Sequence, residues 1–320
     1  MGEVINTVGV LGTGVIGASW ATLFLAKGLK VILSDPASGS KESFERYLDA
    51  AWIALEKAGM SDMGRKNKNN YEVVDSLLDH IGDIDFVQEN SPERQDLKTK
   101  LIAELDAHAR PGIIIASSSS GMPASSFISQ CKNAPQRILV AHPFNPPHLV
   151  PLVEVVPHPG TDERTVNNAL EFYRNLGKRP ILINHEIPGF VANRLQAVVN
   201  NEAYSLVSRG IVSAEDLDAA MATGPGLRWA VHGPLVTNTL GGGGGKDGFW
   251  QRLERLGPGI RVWERDILAH RFCWTESEQR ALKDKVEEYL DHIDLSEVST
   301  QRDQALLEML CARRKSDCHV

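Results

Sequence analysis

A chain of 320 residues is longer than one hydrophobic core usually serves, so two domains are expected. Its 42% hydrophobic and 23% charged residues are those of an ordinary globular protein, and no apolar run is long enough for a membrane span. A net charge of -7 argues against a nucleic-acid partner, which would want a concentrated basic surface.

In chain order, Thr7–Leu11 reads as a buried strand and 15–27 as a helix closed by Gly28. Lys30–Ser34 is a second strand, followed by a helix over 41–57. The polar stretch 61–70 is a solvated loop, or else its Arg65, Lys66 and Lys68 help to hold an anionic substrate. Further strands are expected at 85–88, 113–116, 137–141, 152–156 and 180–183, with a helix at 162–176 ended by Gly177. Strands separated by helices specify a parallel α/β sheet of the Rossmann, doubly wound type. After Pro188 the pattern changes to helices at 189–208, 214–222 and Glu276–Leu290. The expected division is therefore an α/β domain over 1–188 and a smaller all-helical domain over 189–320. The glycine run 241–245 reads as a turn.

Four scattered cysteines, Cys131, Cys273, Cys311 and Cys318, form no CxxC pair and suggest reduced thiols. The opening MGEVINTVGVLG lacks the features of a signal peptide, and Asn6 breaks the pattern that myristoylation of Gly2 would need. A cytoplasmic address follows by elimination.

The sharpest local signal is Gly12-x-Gly14-x-x-Gly17, placed between the first strand and the first helix. Gly12 permits the tight turn, Gly14 lets backbone approach a pyrophosphate, and Gly17 allows close helix–strand packing. Val15 and Ile16 open the helix, whose free N–H groups suit phosphates. Eighteen residues after Gly17 the second strand ends in Asp35, a carboxylate suited to a ribose 2′-hydroxyl and repellent to a 2′-phosphate. That combination predicts NAD as the cofactor. No metal is expected.

Further on, His142 in AHPFNPP ends one strand and Glu154 in PLVEVV lies on the next. If the two meet, the carboxylate orients the imidazole as a base for removing a hydroxyl proton. GVLGTGVIG, FVQENSPE, ASSSSGMP, HPFNPP, PLVEVVPHP, PGFVANRL and GPGLRWAVHGP occur in this order between about residues 7 and 235. The chain thereby resembles the 3-hydroxyacyl-CoA dehydrogenase family, within it the branch containing λ-crystallin (L-gulonate 3-dehydrogenase) and carnitine dehydrogenase. The resemblance implies a catalytic set of Ser120, His142, Glu154 and Asn193, with Ser119 a rival to Ser120. It also implies that Glu93 and Lys98 line the nicotinamide end of the cofactor, that Asn145 contacts cofactor or substrate nearby, and that a homodimer is formed by the helical domain with the active site between domains.

Arg228, expected in a loop after the 214–222 helix, offers a bidentate fork for a free carboxylate. A free acid is therefore the coherent substrate, and the resemblance of HGPLVT to the gulonate-type continuation implies a small 3-hydroxy acid of the L-gulonate kind, oxidised to the 3-keto acid. Carnitine, whose trimethylammonium group would want aromatic faces such as Trp229, Phe249 and Trp250, is the second reading and an acyl-CoA the third. A non-catalytic, NAD-binding structural protein is the rival of another class.

Overall fold

The computed structural model describes residues 4–57, 59 and 67–315. The chain divides into two compact units, Met1–Arg194 and Leu195–Val320.

The first unit opens with strand β1 (Thr7–Leu11), helix α1 (Val15–Ala26), β2 (Lys30–Ser34) and α2 (Ser40–Lys57). It continues with β3 (Tyr71–Val73), β4 (Phe86–Glu89), α3 (Gln95–His108), β5 (Ile114–Ser117), β6 (Ile138–Pro143), β7 (Leu152–Pro157), α4 (Glu163–Asn175) and β8 (Arg179–Leu182). The eight strands form one sheet in the order β3-β2-β1-β4-β5-β6-β7-β8. Neighbours run parallel except β6 and β7, which are antiparallel. This is the doubly wound α/β class that the strand–helix alternation predicts. Its strand order reverses between β1 and β4, the place where such sheets bind ligands at the strands' carboxyl ends.

Side-chain alternation along the strands builds a core on each face. Phe86 joins the cluster with Trp20, Phe24, Phe44, Phe172 and Tyr173, while the next residue, Val87, joins Ile102, Ile115, Phe127 and Phe190. Helix α1 is buried from Gly17 to Ala26, which explains why its sequence is apolar all round. Helix α2 buries only the stripe Phe44, Leu48, Ala51, Trp52 and Leu55. Truncating Trp20 or Phe24 to alanine would cost about 3–5 kcal/mol through lost burial and the cavity left behind.

Strand β3 and helix α3 were not expected. β3 is three residues long and half-exposed, too short for a pattern. Of the 61–70 stretch, Arg65 and Lys66 lie outside the described residues, and Lys68 pairs with Asp49 at 2.7 Å. Cys318 likewise lies outside them; Cys131, Cys273 and Cys311 are free thiols.

Helix α5 (Ala192–Ser208) begins in the first unit and continues into the second. The second unit adds α6 (Ala214–Thr223), α7 (Pro225–Val231), α8 (Pro234–Gly241), α9 (Gly248–Ala269), α10 (Glu276–Leu290) and α11 (Leu295–Lys315). Helix α10 starts with a reciprocal Thr275–Glu278 capping box. The glycine run closes α8, with Gly243, Gly244 and Gly245 all at positive φ. Leu235, Trp250, Trp263 and Leu268 are all more than half exposed. No described helix is long and apolar enough to cross a membrane.

Candidate active site

The glycine turn is built around close approaches. Gly12 has φ +84°, and a Cβ there would lie 2.8 Å from the Asn90 carbonyl oxygen. A Cβ on Gly17 would fall 1.9 Å from the Gly12 oxygen, so neither position accepts another residue. A Cβ on Gly14 would meet nothing within 4 Å, which leaves open space above the start of α1. No side chain caps that helix end, where Val15 is exposed and Ile16 half-buried. Free first-turn N–H groups facing open space fit a pyrophosphate. Asp35 is tied to the same turn: its Oδ2 accepts from Thr13 N at 2.6 Å and from Thr13 Oγ1 at 3.1 Å. The residues present thus fit a dinucleotide.

The second cluster lies on β6 and β7. Their antiparallel register sets His142 directly opposite Glu154, so both side chains rise from one face. Nδ1 of His142 lies 2.8 Å from Glu154 Oε2, and both residues are buried. The other carboxylate oxygen accepts from the Val191 and Ala192 amides at 2.9 Å each, at the start of α5. Burial pushes the Glu154 carboxyl up, but the bonds from His142, Ala192 and Val191 outweigh it and hold the group below its ordinary value. An ionised Glu154 requires a proton on Nδ1, which in the neutral imidazole leaves the lone pair on Nε2.

The PGF segment explains how those amides arrive. Gly189 has φ +75° and Phe190 φ +51°, a left-handed conformation costing about 1–3 kcal/mol for a side chain of this kind. Phe190 is fully buried, and its ring centroid lies 5.7 Å from that of His142. Its burial and the two amide bonds to Glu154 offset the strain.

The serine turn is held from below and beside. Ser119 is fully buried; its Oγ donates to Glu93 Oε1 at 2.6 Å and accepts from Met122 N at 3.1 Å. Ser120 is exposed, its N–H donates to the same Glu93 oxygen at 3.1 Å, and its carbonyl accepts from Asn193 Nδ2. Thus Ser119 is spent within the protein, while the Ser120 hydroxyl is open to a ligand. Lys98 is almost fully buried: its ammonium donates to Glu89 Oε1 and Oε2 at 2.9 and 3.0 Å and to the Ser91 carbonyl at 3.1 Å. Its Nζ lies 3.9 Å from Glu93, beneath that residue rather than in open space. Asn145 is exposed on the loop after β6.

Ser120 is therefore bonded to both Glu93 and Asn193, and His142 to Glu154. Arg228 belongs to the second unit, where its side chain is exposed. It lies on α7, not in the loop that the sequence suggested: Pro225 at the first helical position turns an apparent breaker into a helix start. Sequence reasoning missed Glu89, which also accepts from Ser117 Oγ at 2.5 Å, and the Val191 and Ala192 amides. A glutamate ending an apolar strand was a signal for the first; backbone donors leave none.

Models of two domains match the chain: the NAD-binding domain of 3-hydroxyacyl-CoA dehydrogenase over residues 7–187, and the C-terminal domain of the same enzyme over 189–256. A protein of Gibberella moniliformis named 3-hydroxyacyl-CoA dehydrogenase is 56% identical over 315 residues, 98% of this chain and 97% of the relative. The chain belongs to the 3-hydroxyacyl-CoA dehydrogenase family. An L-carnitine dehydrogenase of Bacillus cereus is 36% identical over 96% of this chain and 92% of its own length. Among solved structures, an NAD-dependent dismutase described as 5-formyl-3-hydroxy-2-methylpyridine 4-carboxylic acid 5-dehydrogenase matches with a TM-score of 0.74 and 25% identity, over 95% of this chain and 97% of that one. Membership makes the protein an NAD-dependent oxidoreductase of the 3-hydroxyacyl-CoA and carnitine dehydrogenase type, with its NAD-binding domain over residues 7–187. The rival reading of a non-catalytic structural protein falls away.

Proposed function

We propose that the protein oxidises the 3-hydroxyl of a small free 3-hydroxy acid, with the His142–Glu154 pair supplying the base. The observation that carries this reading is the 2.8 Å contact between Nδ1 and Oε2, which orients the imidazole and, in its neutral form, leaves the lone pair on Nε2. Nε2 takes the hydroxyl proton as the C–H bond at the carbinol carbon breaks. NAD, when bound, accepts the hydride from that carbon. The Ser120 hydroxyl and the Asn193 amide donate to the oxygen whose charge changes during the step. Glu93 accepts from Ser120 N and so holds the serine turn at the nicotinamide end. Lys98 supports it from beneath through Glu89, and Asn145 faces the cofactor from the β6–β7 loop. General-base help of this kind contributes roughly 100- to 10,000-fold.

For the acid itself, Arg228 is the candidate carboxylate partner. The gulonate-like substrate that the sequence suggested remains a member of the class, but the named relatives favour carnitine as the first compound to try. Seven L-carnitine dehydrogenases lie between 36% and 42% identity, and Trp229 and Trp250 are exposed aromatic faces. A second reading, an acyl-CoA substrate, is favoured by the name of the 56% identical relative. The exposed apolar residues of the helical unit suit burial against a second copy, and the working form is read as a cytoplasmic homodimer. NAD reduction assayed against L-carnitine, L-gulonate, other free 3-hydroxy acids and 3-hydroxyacyl-CoA esters decides among the classes. Turnover of free acids is expected; turnover of CoA esters alone would reverse the substrate assignment.

A further inference from the structure

Residues 144–151 join the strand of His142 to the strand of Glu154, and carry Asn145. Two anchors hold this loop. The Pro147 and Val150 carbonyls both accept from the Lys178 ammonium, at the foot of β8. His148 and Ser19 of α1 bond reciprocally: the His148 N–H donates to Ser19 Oγ at 2.9 Å, and that hydroxyl meets His148 Nδ1 at 2.8 Å. The loop also turns on itself, Leu149 N and Val150 N both donating to the Pro146 carbonyl at 2.9 Å. The anchors converge on one turn of the cofactor helix, because the Lys178 ammonium lies 5.4 Å from the ring centroid of Trp20, the residue after Ser19.

Lys178 is 8% exposed, and among the described residues no carboxylate pairs with it. Burial alone pushes its pKa down to about 7, so the charge is held at a cost. A methionine would fill much of the same volume without that cost. What the ammonium adds is direction: two donors to carbonyls three residues apart and a third hydrogen towards the indole face.

We propose that Lys178 is a positioning residue for the reaction, clamping the 144–151 loop onto α1 and thereby fixing Asn145 at the cofactor relative to His142. The proposal rests on the reading above that Asn145 faces NAD. Without the clamp the loop keeps its turn around Pro146 but loses its fixed distance from the glycine turn.

The test uses the full-length protein carrying Lys178→Met or Lys178→Arg. Amide hydrogen exchange is followed over 144–151, and NAD affinity is measured by calorimetry without substrate. Lys178→Met is expected to speed exchange there about tenfold, the order for loss of one buried hydrogen bond, and to weaken NAD binding several-fold, with arginine restoring part of both. Unchanged exchange, or faster exchange with unchanged NAD affinity, in folded Lys178→Met overturns the proposal. Asn145→Ala separates the two levels: if it leaves NAD affinity unaltered, the cofactor reading of Asn145 fails whatever the clamp does. Should Lys178→Met not fold, Lys178→Arg and Ser19→Ala are read by the same measurements, and unaltered exchange in both overturns the clamp.

Discussion

His142 and Glu154 are register partners of the antiparallel pair β6–β7, and their side chains meet at 2.8 Å. Because Glu154 also receives two backbone N–H groups from the start of α5, its second oxygen has no freedom to rotate away. The tautomer of the imidazole is therefore decided by main-chain geometry some 37 residues downstream of the glutamate.

Glu154→Gln tests that relation. The Val191 and Ala192 amides demand an acceptor, so the carboxamide oxygen must face them and its NH2 must face Nδ1. His142 then carries its proton on Nε2 and cannot act as a base. Turnover is expected to fall by about 100- to 10,000-fold with NAD binding retained. The same change alters the pH dependence of stability. In the native protein Glu154 is held below its ordinary value, so its contribution is present above the unfolded carboxyl pKa and lost as pH falls through the lower folded one. Thermal unfolding between neutral and acidic pH is expected to show a flatter loss in Glu154→Gln.

The two serines separate by their partners. Ser120→Ala is expected to lower turnover by about 100- to 1,000-fold, as loss of an oxyanion donor does, with little change in melting temperature. Ser119→Ala removes an internal bond to Glu93 and an acceptor for Met122 N, so it is expected to cost about 1 kcal/mol of stability and less activity. A larger loss of turnover in Ser119→Ala would exchange the roles.

Lys178 makes a prediction about stability with a definite sign. Its folded pKa is about 7 against 10.5 for the free group, so between those values the unfolded chain binds the extra proton. Its charge therefore weakens the fold most below pH 7, and that penalty fades as pH rises towards 10. The melting temperature of Lys178→Met relative to wild type is expected to be more favourable at pH 6 than at pH 9. A difference of the opposite slope would mean that the carbonyls and the indole face hold the ammonium charged.

Arg228→Met addresses the substrate. If its guanidinium holds the carboxylate, the KM for a free 3-hydroxy acid is expected to rise by about tenfold or more, as loss of a charge-assisted bond would give. KM for NAD should stay as it is. An unaltered KM for the acid would remove Arg228 from the site.

Much of the first unit was legible because its signals are local. β-branched runs marked most strands, glycine spacing marked the tight turn before α1, and His142 and Glu154 stood at strand positions that can pair. What was hidden depends on backbone or tertiary partners. The Val191 and Ala192 amides have no side-chain signature, and the Glu89–Lys98 pair joins a strand to a helix that no apolar period announced. In the second unit, GPGLR reads as a loop after the 214–222 helix, and the Gly257-Pro258-Gly259 triplet consists of residues that disfavour a helix interior. Yet the first opens α7 with Pro225, and the second lies inside the 22-residue helix α9. Proline is tolerated at a helix start, and an exposed helix can pass through one at the loss of a hydrogen bond.

The claim at the centre is that Nε2 of His142 removes the hydroxyl proton. It is tested most directly by single-turnover NADH formation from NAD-saturated enzyme, comparing wild type with His142→Ala on whichever 3-hydroxy substrate the panel identifies. The expected result is a rate lower by about 100- to 10,000-fold, with NAD affinity measured in parallel and unchanged. A comparable rate in the two proteins would contradict it.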